Sequence, residues 1–162
     1  MFGYSTTAIA LASAGLIVTA AGGALVTQLG PWYYGLKKPA WQPPDWLFGP
    51  AWTAIFLLMA FAFVISWERL PTVGGRARLF GVFAINSGLN TLWSYLFFGR
   101  RRPDLALFEA VPFFGSIVLL IVTVAPLDRR AAWAFVPYVL WVTFATVLNI
   151  TIVRRNAPFG SR

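Results

Sequence analysis

The chain has 162 residues, of which 59% are hydrophobic and only 11% charged, against about 25% charged in a soluble domain. Its net charge is +8, from 13 Lys and Arg against 5 Asp and Glu, and it contains no His and no Cys. This excludes His-dependent triads, thiol catalysis, disulfides and the usual ligands of zinc or haem iron, and it points to a membrane protein.

Five apolar runs reach spanning length: residues 6–29, 47–67, 79–99, 105–125 and 131–153. A helix needs about 20 apolar residues to cross the hydrocarbon core, and lipid admits only helices or closed barrels. The runs lack period-2 alternation, so the expectation is an all-α membrane protein, one domain over residues 1–162, built as a bundle of five transmembrane helices. The first run is read as a retained helix, not a cleaved signal peptide. Residues 1–5 carry no Lys or Arg, and the run exceeds an ordinary signal core. Along it, Ala12, Gly15, Thr19 and Gly23 recur at small-xxx-small spacing, a packing signal.

Between the first two runs lies WYYGLKKPAWQPPDW, residues 32–46. Pro39, Pro43 and Pro44 forbid a helix interior, and the aromatic content is too high for an idle linker. Prolines lower the entropy cost of holding such a loop in place. Tyr33 and Trp41 supply flat apolar surface, and Lys37 and Lys38 suit an acidic group at a rim. In the second run Trp52 and Phe56 form an i,i+4 pair. Gly74-Gly75, between runs two and three, reads as a turn.

The third run is the most informative. Asn86, Asn90, Trp93 and Phe97 share one helical face, and Gly81, Ala84 and Gly88 the opposite one. Amides in lipid need partners, so the Asn face looks into protein, either for interhelical hydrogen bonds or for a ligand. The small face is a seam for close helix approach, within one chain or in a homodimer. In the fourth run Glu109 reads as an interfacial carboxylate near Arg100–Arg102. In the fifth, Ala134, Tyr138, Trp141, Ala145 and Asn149 form a stripe, and Pro137 bends the helix. Trp67 and Trp133, at run ends, read as headgroup anchors.

Basic residues are scattered over short loops, which argues for headgroup contact and against nucleic acid. Eight of them, Arg162 included, fall on the side of the C-terminus and five on the other, so the C-terminus is expected in the cytoplasm. Together these features predict a cavity near one membrane face, walled by Trp52, Asn90, Trp93 and Trp141 and closed by the helix 1–2 loop. Such a site suits a planar, largely apolar molecule. No metal site and no obligatory cofactor are expected.

WYYGLKKPAWQPP, AWTAIF, NTLWSYLFF and VPYVLWVTFATVLN, in that order, resemble the TspO/MBR family of tryptophan-rich sensory proteins and mitochondrial translocator (peripheral benzodiazepine receptor) proteins. The similarity runs from about Thr6 to Asn156. It implies a five-helix protein of a bacterial membrane, commonly dimeric. The implied ligands are tetrapyrroles such as protoporphyrin or haem, and in some members cholesterol and benzodiazepine-like drugs. The implied role is that of a receptor, sensor or carrier in regulation or stress response. Carried over residue by residue, the pocket positions are Tyr33, Trp52, Asn90, Trp93, Trp141 and Ala145, with Trp41 and Phe56 beside them. Two alternatives accompany this reading: light-dependent porphyrin degradation through Trp52 and Trp141, and sterol or lipid translocation. Ile150 stands where vertebrate members carry the Tyr of their cholesterol-recognition segment.

Overall fold

The computed structural model describes residues 3–160; Arg162 lies outside them. Seven helices follow in order: α1 (Thr6–Val26), α2 (Pro31–Gly35), α3 (Phe48–Glu68), α4 (Val73–Ser94), α5 (Pro103–Val124), α6 (Arg129–Ala134) and α7 (Val136–Asn156), with a single 3₁₀ turn, Asp45–Leu47, leading into α3. Among the described residues there is no strand.

Local chemistry sets the starts. The first amides of a helix lack internal acceptors. Ser5 Oγ accepts from Ala8 N at 3.2 Å to open α1, and Thr72 Oγ1 from Gly75 N at 3.1 Å to open α4. Asp128 accepts from Arg130 N at 2.9 Å to open α6. Pro31 and Pro103 sit in the first turns of α2 and α5, where a missing N–H costs nothing. The Thr72 cap corrects the reading of Gly74-Gly75: the pair lies in the first turn of α4, which begins six residues ahead of the apolar run. The fifth run is divided at Phe135. Pro137 has no N–H to return to the preceding turn, and Val139 N restarts the ladder on Phe135 O at 3.0 Å.

Four segments are long and apolar enough to cross a membrane: Thr6–Val26, Asp45–Glu68, Pro103–Val124 and Arg129–Asn156. The 22-residue α4 matches them in length but carries Arg76, Arg78, Asn86 and Asn90, which lower its apolarity. It is nonetheless an integral part of the core. The long helices close a ring in which α1 packs on α3 and α4, α4 on α5, α5 on α6 and α7, and α6 on α3. Lipid tails give no hydrophobic drive between helices, so such a ring is held by close packing and interhelical hydrogen bonds. Asn86 Nδ2 donates to Ser116 Oγ (2.8 Å), Asn90 Nδ2 to Tyr138 OH (3.2 Å), and Tyr138 OH to Asn86 Oδ1 (3.1 Å). These three bonds tie α4, α5 and α7 together, at about 0.6 kcal/mol each.

The ends of the ring are clasped differently. At the far end Ser5 N donates to Glu68 Oε1 (2.9 Å), and Asp128 receives Arg69 and Arg130. Arg130 first, and its own backbone N–H second, hold the Asp128 carboxyl well below the usual carboxylate range. At the loop end Lys37 N donates to Asn156 Oδ1 (2.8 Å), Asn156 Nδ2 to Lys37 O (3.1 Å) and Arg155 Nη1 to Lys38 O (3.0 Å). The helix 1–2 loop is thereby buttoned onto the end of α7.

Two expectations are corrected here. Trp67 does not point at headgroups: it is buried beside Phe63, with the Arg76 guanidinium 5.3 Å from its ring. Trp133 does face outward. Glu109 is not solvated at an interface: it is only 7% exposed and neither oxygen has a hydrogen-bond partner, while Arg102 is engaged by Asp104 at 2.8 Å.

Candidate functional site

Aromatic side chains from the loop and from α3, α4 and α7 meet at the loop end. Tyr33, from α2, is buried, and its hydroxyl donates to Asp45 Oδ1 at 2.7 Å while accepting from Gln42 Nε2 at 3.1 Å. This triangle folds the proline-rich loop back on itself. Burial, and then Asp45 beside it, push the Tyr33 phenol well above its ordinary value, so it keeps the proton it donates. The Lys38 ammonium sits 3.7 Å from the centre of the Tyr33 ring, a cation–π contact.

Below the loop, Trp93 stacks on Phe97 with ring centres 5.2 Å apart, and Phe98 lies against Tyr33 at 5.8 Å. Trp141 meets Phe48 edge-on at 5.4 Å and Phe144 at 5.5 Å. Trp52 stacks on Phe56 at 5.4 Å and presents its face to the edge region of Tyr138 at 6.0 Å. Asn90, 4% exposed, is committed to Tyr138. The Trp141 indole N–H is buried without an acceptor.

These rings fill most of the space they enclose. What is left is a crevice of about 40 Å³ lined by Tyr33, Gln42, Phe48, Trp93, Phe97, Phe98, Ala145, Leu148, Asn149 and Ile152. It is far below the 300–1,000 Å³ of a small-molecule pocket. Of the sequence-predicted residues, Tyr33, Trp93 and Ala145 line it. Trp141 reaches it only through Phe48, and Trp52 and Asn90 do not line it but meet at Tyr138. Trp41 lies apart, half exposed and edge-on to Phe144 at 5.9 Å.

The larger opening is elsewhere. A groove of about 600 Å³ runs between α1, α3 and α4, walled by Ala12, Gly15, Phe56, Met59, Phe63, Phe83, Ala84 and Gly88 among others. Phe56 therefore belongs to this groove and not to the loop-end crevice. Thr19 Oγ1 donates to Ser87 Oγ across it at 2.9 Å, and Phe63 meets Phe83 edge-on at 5.1 Å. A methyl placed on Gly81 or Gly88 would meet nothing within 4 Å, so among the described residues no helix approaches α4 closely at these two glycines. Close approach falls instead at Gly22 of α1, whose added Cβ would come within 3.2 Å of Thr91.

Sequence reasoning did not find Phe48, Gln42 or the reach of Phe98. Phe48 and Gln42 carry no periodic signal, since one opens a helix and the other lies in a loop. Phe98 turns inward because Tyr95–Gly99 forms a π-turn, with Arg100 N donating to Tyr95 O at 2.8 Å. Such turns often mark functional sites and leave no residue pattern to read.

The profile of the TspO/MBR family matches residues 7–155. The chain belongs to that family. The tryptophan-rich protein TspO of Chlorobaculum tepidum is 38% identical to it over 146 residues, 87% of this chain and 90% of that protein. The tryptophan-rich sensory protein of Cereibacter sphaeroides is 35% identical, covering 77% of each. The translocator protein of Homo sapiens is 32% identical, covering 77% of this chain and 75% of that one. Family membership and four spanning-length apolar helices make this TspO/MBR chain an integral membrane protein.

Proposed function

We propose that this chain is a five-span membrane sensor or carrier that takes a planar, largely apolar ligand of the tetrapyrrole class at the loop-end site. The observation that carries the reading is the convergence of aromatic rings from four separate elements around one crevice, under a loop fixed by a handful of hydrogen bonds. The crevice is too small for a tetrapyrrole as it stands, so binding requires the loop to lift off Asn156 and the rings to part. Indole and phenyl faces then stack on the ligand, and the unpaired Trp141 N–H offers it a hydrogen bond. The relatives named sensory protein and translocator protein support the coarse role. The C-terminus is placed in the cytoplasm, in a bacterial membrane.

Titration of detergent-solubilised protein with protoporphyrin tests this reading through tryptophan quenching. Binding in the wild type and about tenfold weaker binding in Trp52→Phe/Trp141→Phe are expected; unchanged affinity in the double variant would falsify the site. Illumination of the same complex separates porphyrin degradation from simple binding, because catalysis consumes more than one equivalent and a sacrificial reaction does not.

The groove favours a second reading, in which the cargo is a lipid or sterol. Its apolar walls open toward the bilayer, and transfer of a sterol between vesicles is the direct assay. The uncovered Gly81, Ala84 and Gly88 face supports a homodimer paired through α4. Ala84→Leu should shift the protein toward monomer in mild detergent.

A further inference from the structure

Resting on the loop-end site as the ligand site, we infer that Asn149 and Gln42 select ligands carrying an uncharged hydrogen-bond donor, an amide N–H or a hydroxyl, on an otherwise apolar body. Both residues line the same crevice. Asn149 is 1% exposed, yet neither atom of its amide has a partner, and the buried Gln42 Oε1 has none. Most buried polar atoms in proteins are paired, so three orphans on two residues that line one crevice mark a place where a partner belongs.

The identity of that partner follows from the fixed orientation of Gln42. Its Nε2 donates to Tyr33 OH at 3.1 Å and to Asp45 Oδ1 at 3.4 Å. Turning the amide over would set a carbonyl oxygen against the Asp45 carboxylate, so Oε1 is a committed acceptor and calls for a donor. Asn149 has no such constraint and presents its oxygen or its NH₂ as the ligand requires. An ionised carboxylate offers acceptors only; it would meet Gln42 Oε1 with Asp45 close behind. A cation is opposed by Lys38, whose ammonium already lies 3.7 Å from the Tyr33 ring centre. An apolar group leaves all three atoms unpaired. A primary amide, with two N–H donors and one carbonyl, can pair all three, and a hydroxyl, with one donor and its lone pairs, can pair Gln42 Oε1 and Asn149 Nδ2. The volume, about 40 Å³, admits a polar arm of that size, a single water needing about 10–15 Å³ on this measure.

Three forms of protoporphyrin test the inference by tryptophan quenching: the dicarboxylate, the dimethyl ester and the primary diamide. The diamide, which donates, should bind wild-type protein about tenfold or more tighter than the ester, which only accepts. In Asn149→Leu and in Gln42→Met that preference should fall to about twofold or less, with ester binding retained as proof of a folded site. Gln42→Met lies in a loop and carries the test if Asn149→Leu does not fold. Equal binding of diamide and ester by the wild type, or a preference that survives Gln42→Met, overturns the inference and leaves the ligand site standing. Failure of all three forms to bind overturns both.

Discussion

The crevice under the loop and the groove between α1, α3 and α4 are built from opposite materials. Small residues, Ala12, Gly15, Ala84 and Gly88, hold the groove open to about 600 Å³, and its walls offer little beyond a few hydroxyls. Large rings close the crevice to about 40 Å³, yet orphan polar atoms of Gln42 and Asn149 face it. Inside a bilayer this difference matters more than volume. An apolar furrow exposed to hydrocarbon is filled by acyl chains at no cost, because tails are as apolar as leucine. An unpaired amide in a buried crevice has no such default partner. On the proposed reading, polarity and not size sets the loop-end crevice apart as the ligand site.

Locking the loop is the strongest way to break the comparison. In a chain with no native Cys, Lys37→Cys/Asn156→Cys replaces the two Lys37–Asn156 hydrogen bonds between the loop and α7 with a removable cross-link. Oxidised protein should lose protoporphyrin quenching almost entirely and regain it with reductant. Quenching that survives oxidation would move the ligand to the groove. The double substitution Trp52→Phe/Trp141→Phe comes next, with an expected weakening of about tenfold, or about 1.4 kcal/mol. Ala84→Leu, which narrows the groove, should leave protoporphyrin affinity unchanged in the same titration.

Stability measurements sharpen the contrast on a finer scale. Glu109 is a buried carboxyl without a partner in the ring, and Glu109→Leu should stabilise the protein by about 1 kcal/mol or more in reversible unfolding from mixed micelles. A loss of stability would mean that the carboxyl has a structural partner. Tyr33→Phe, which removes the bond to Asp45, should cost about 1 kcal/mol. The direction of the Tyr33 shift sets the pH window. Because folding raises this phenol above its ordinary value of 10.0, its contribution is full below about pH 10 and is lost as pH rises beyond it. Loop docking, followed by proteolysis within residues 36–44, should therefore be flat from neutral pH to about 10. In Tyr33→Phe the alkaline fall above that range should vanish.

Much of this architecture could be read from residue order alone. Continuous apolar runs announce helices because lipid leaves no other option for the backbone. The spacing of Asn86, Asn90 and Trp93 showed which face of α4 looks inward, and the loop composition announced an ordered segment, which hydrogen bonds hold to α7. The failures have local causes. The start of α4 was misplaced where a Thr72 hydroxyl extended it past the apolar run, and the burial of Glu109 left no mark in residue order. Phe56 lines the groove and not the crevice, which was not legible since an i,i+4 pair fixes a face but not which neighbour that face meets. The closeness of the rings was not legible at all, because side-chain rotamers decide whether converging indoles enclose a space or fill it.

The π-turn at Tyr95–Gly99 has one more consequence. The widened turn closes on the fifth residue instead of the fourth, so it slips the phase of everything beyond it relative to the faces of α4. Phe97 and Phe98 both lie under the loop, with ring centres 4.7 Å apart. The turn also brings Gly99 so near Tyr95 that an added Cβ would sit 2.9 Å from the ring, and a larger residue there would have to push that 41% exposed side chain aside. Removing one residue from the segment would reset the phase, turn a phenyl outward into the acyl chains and leave the roof without its inner layer.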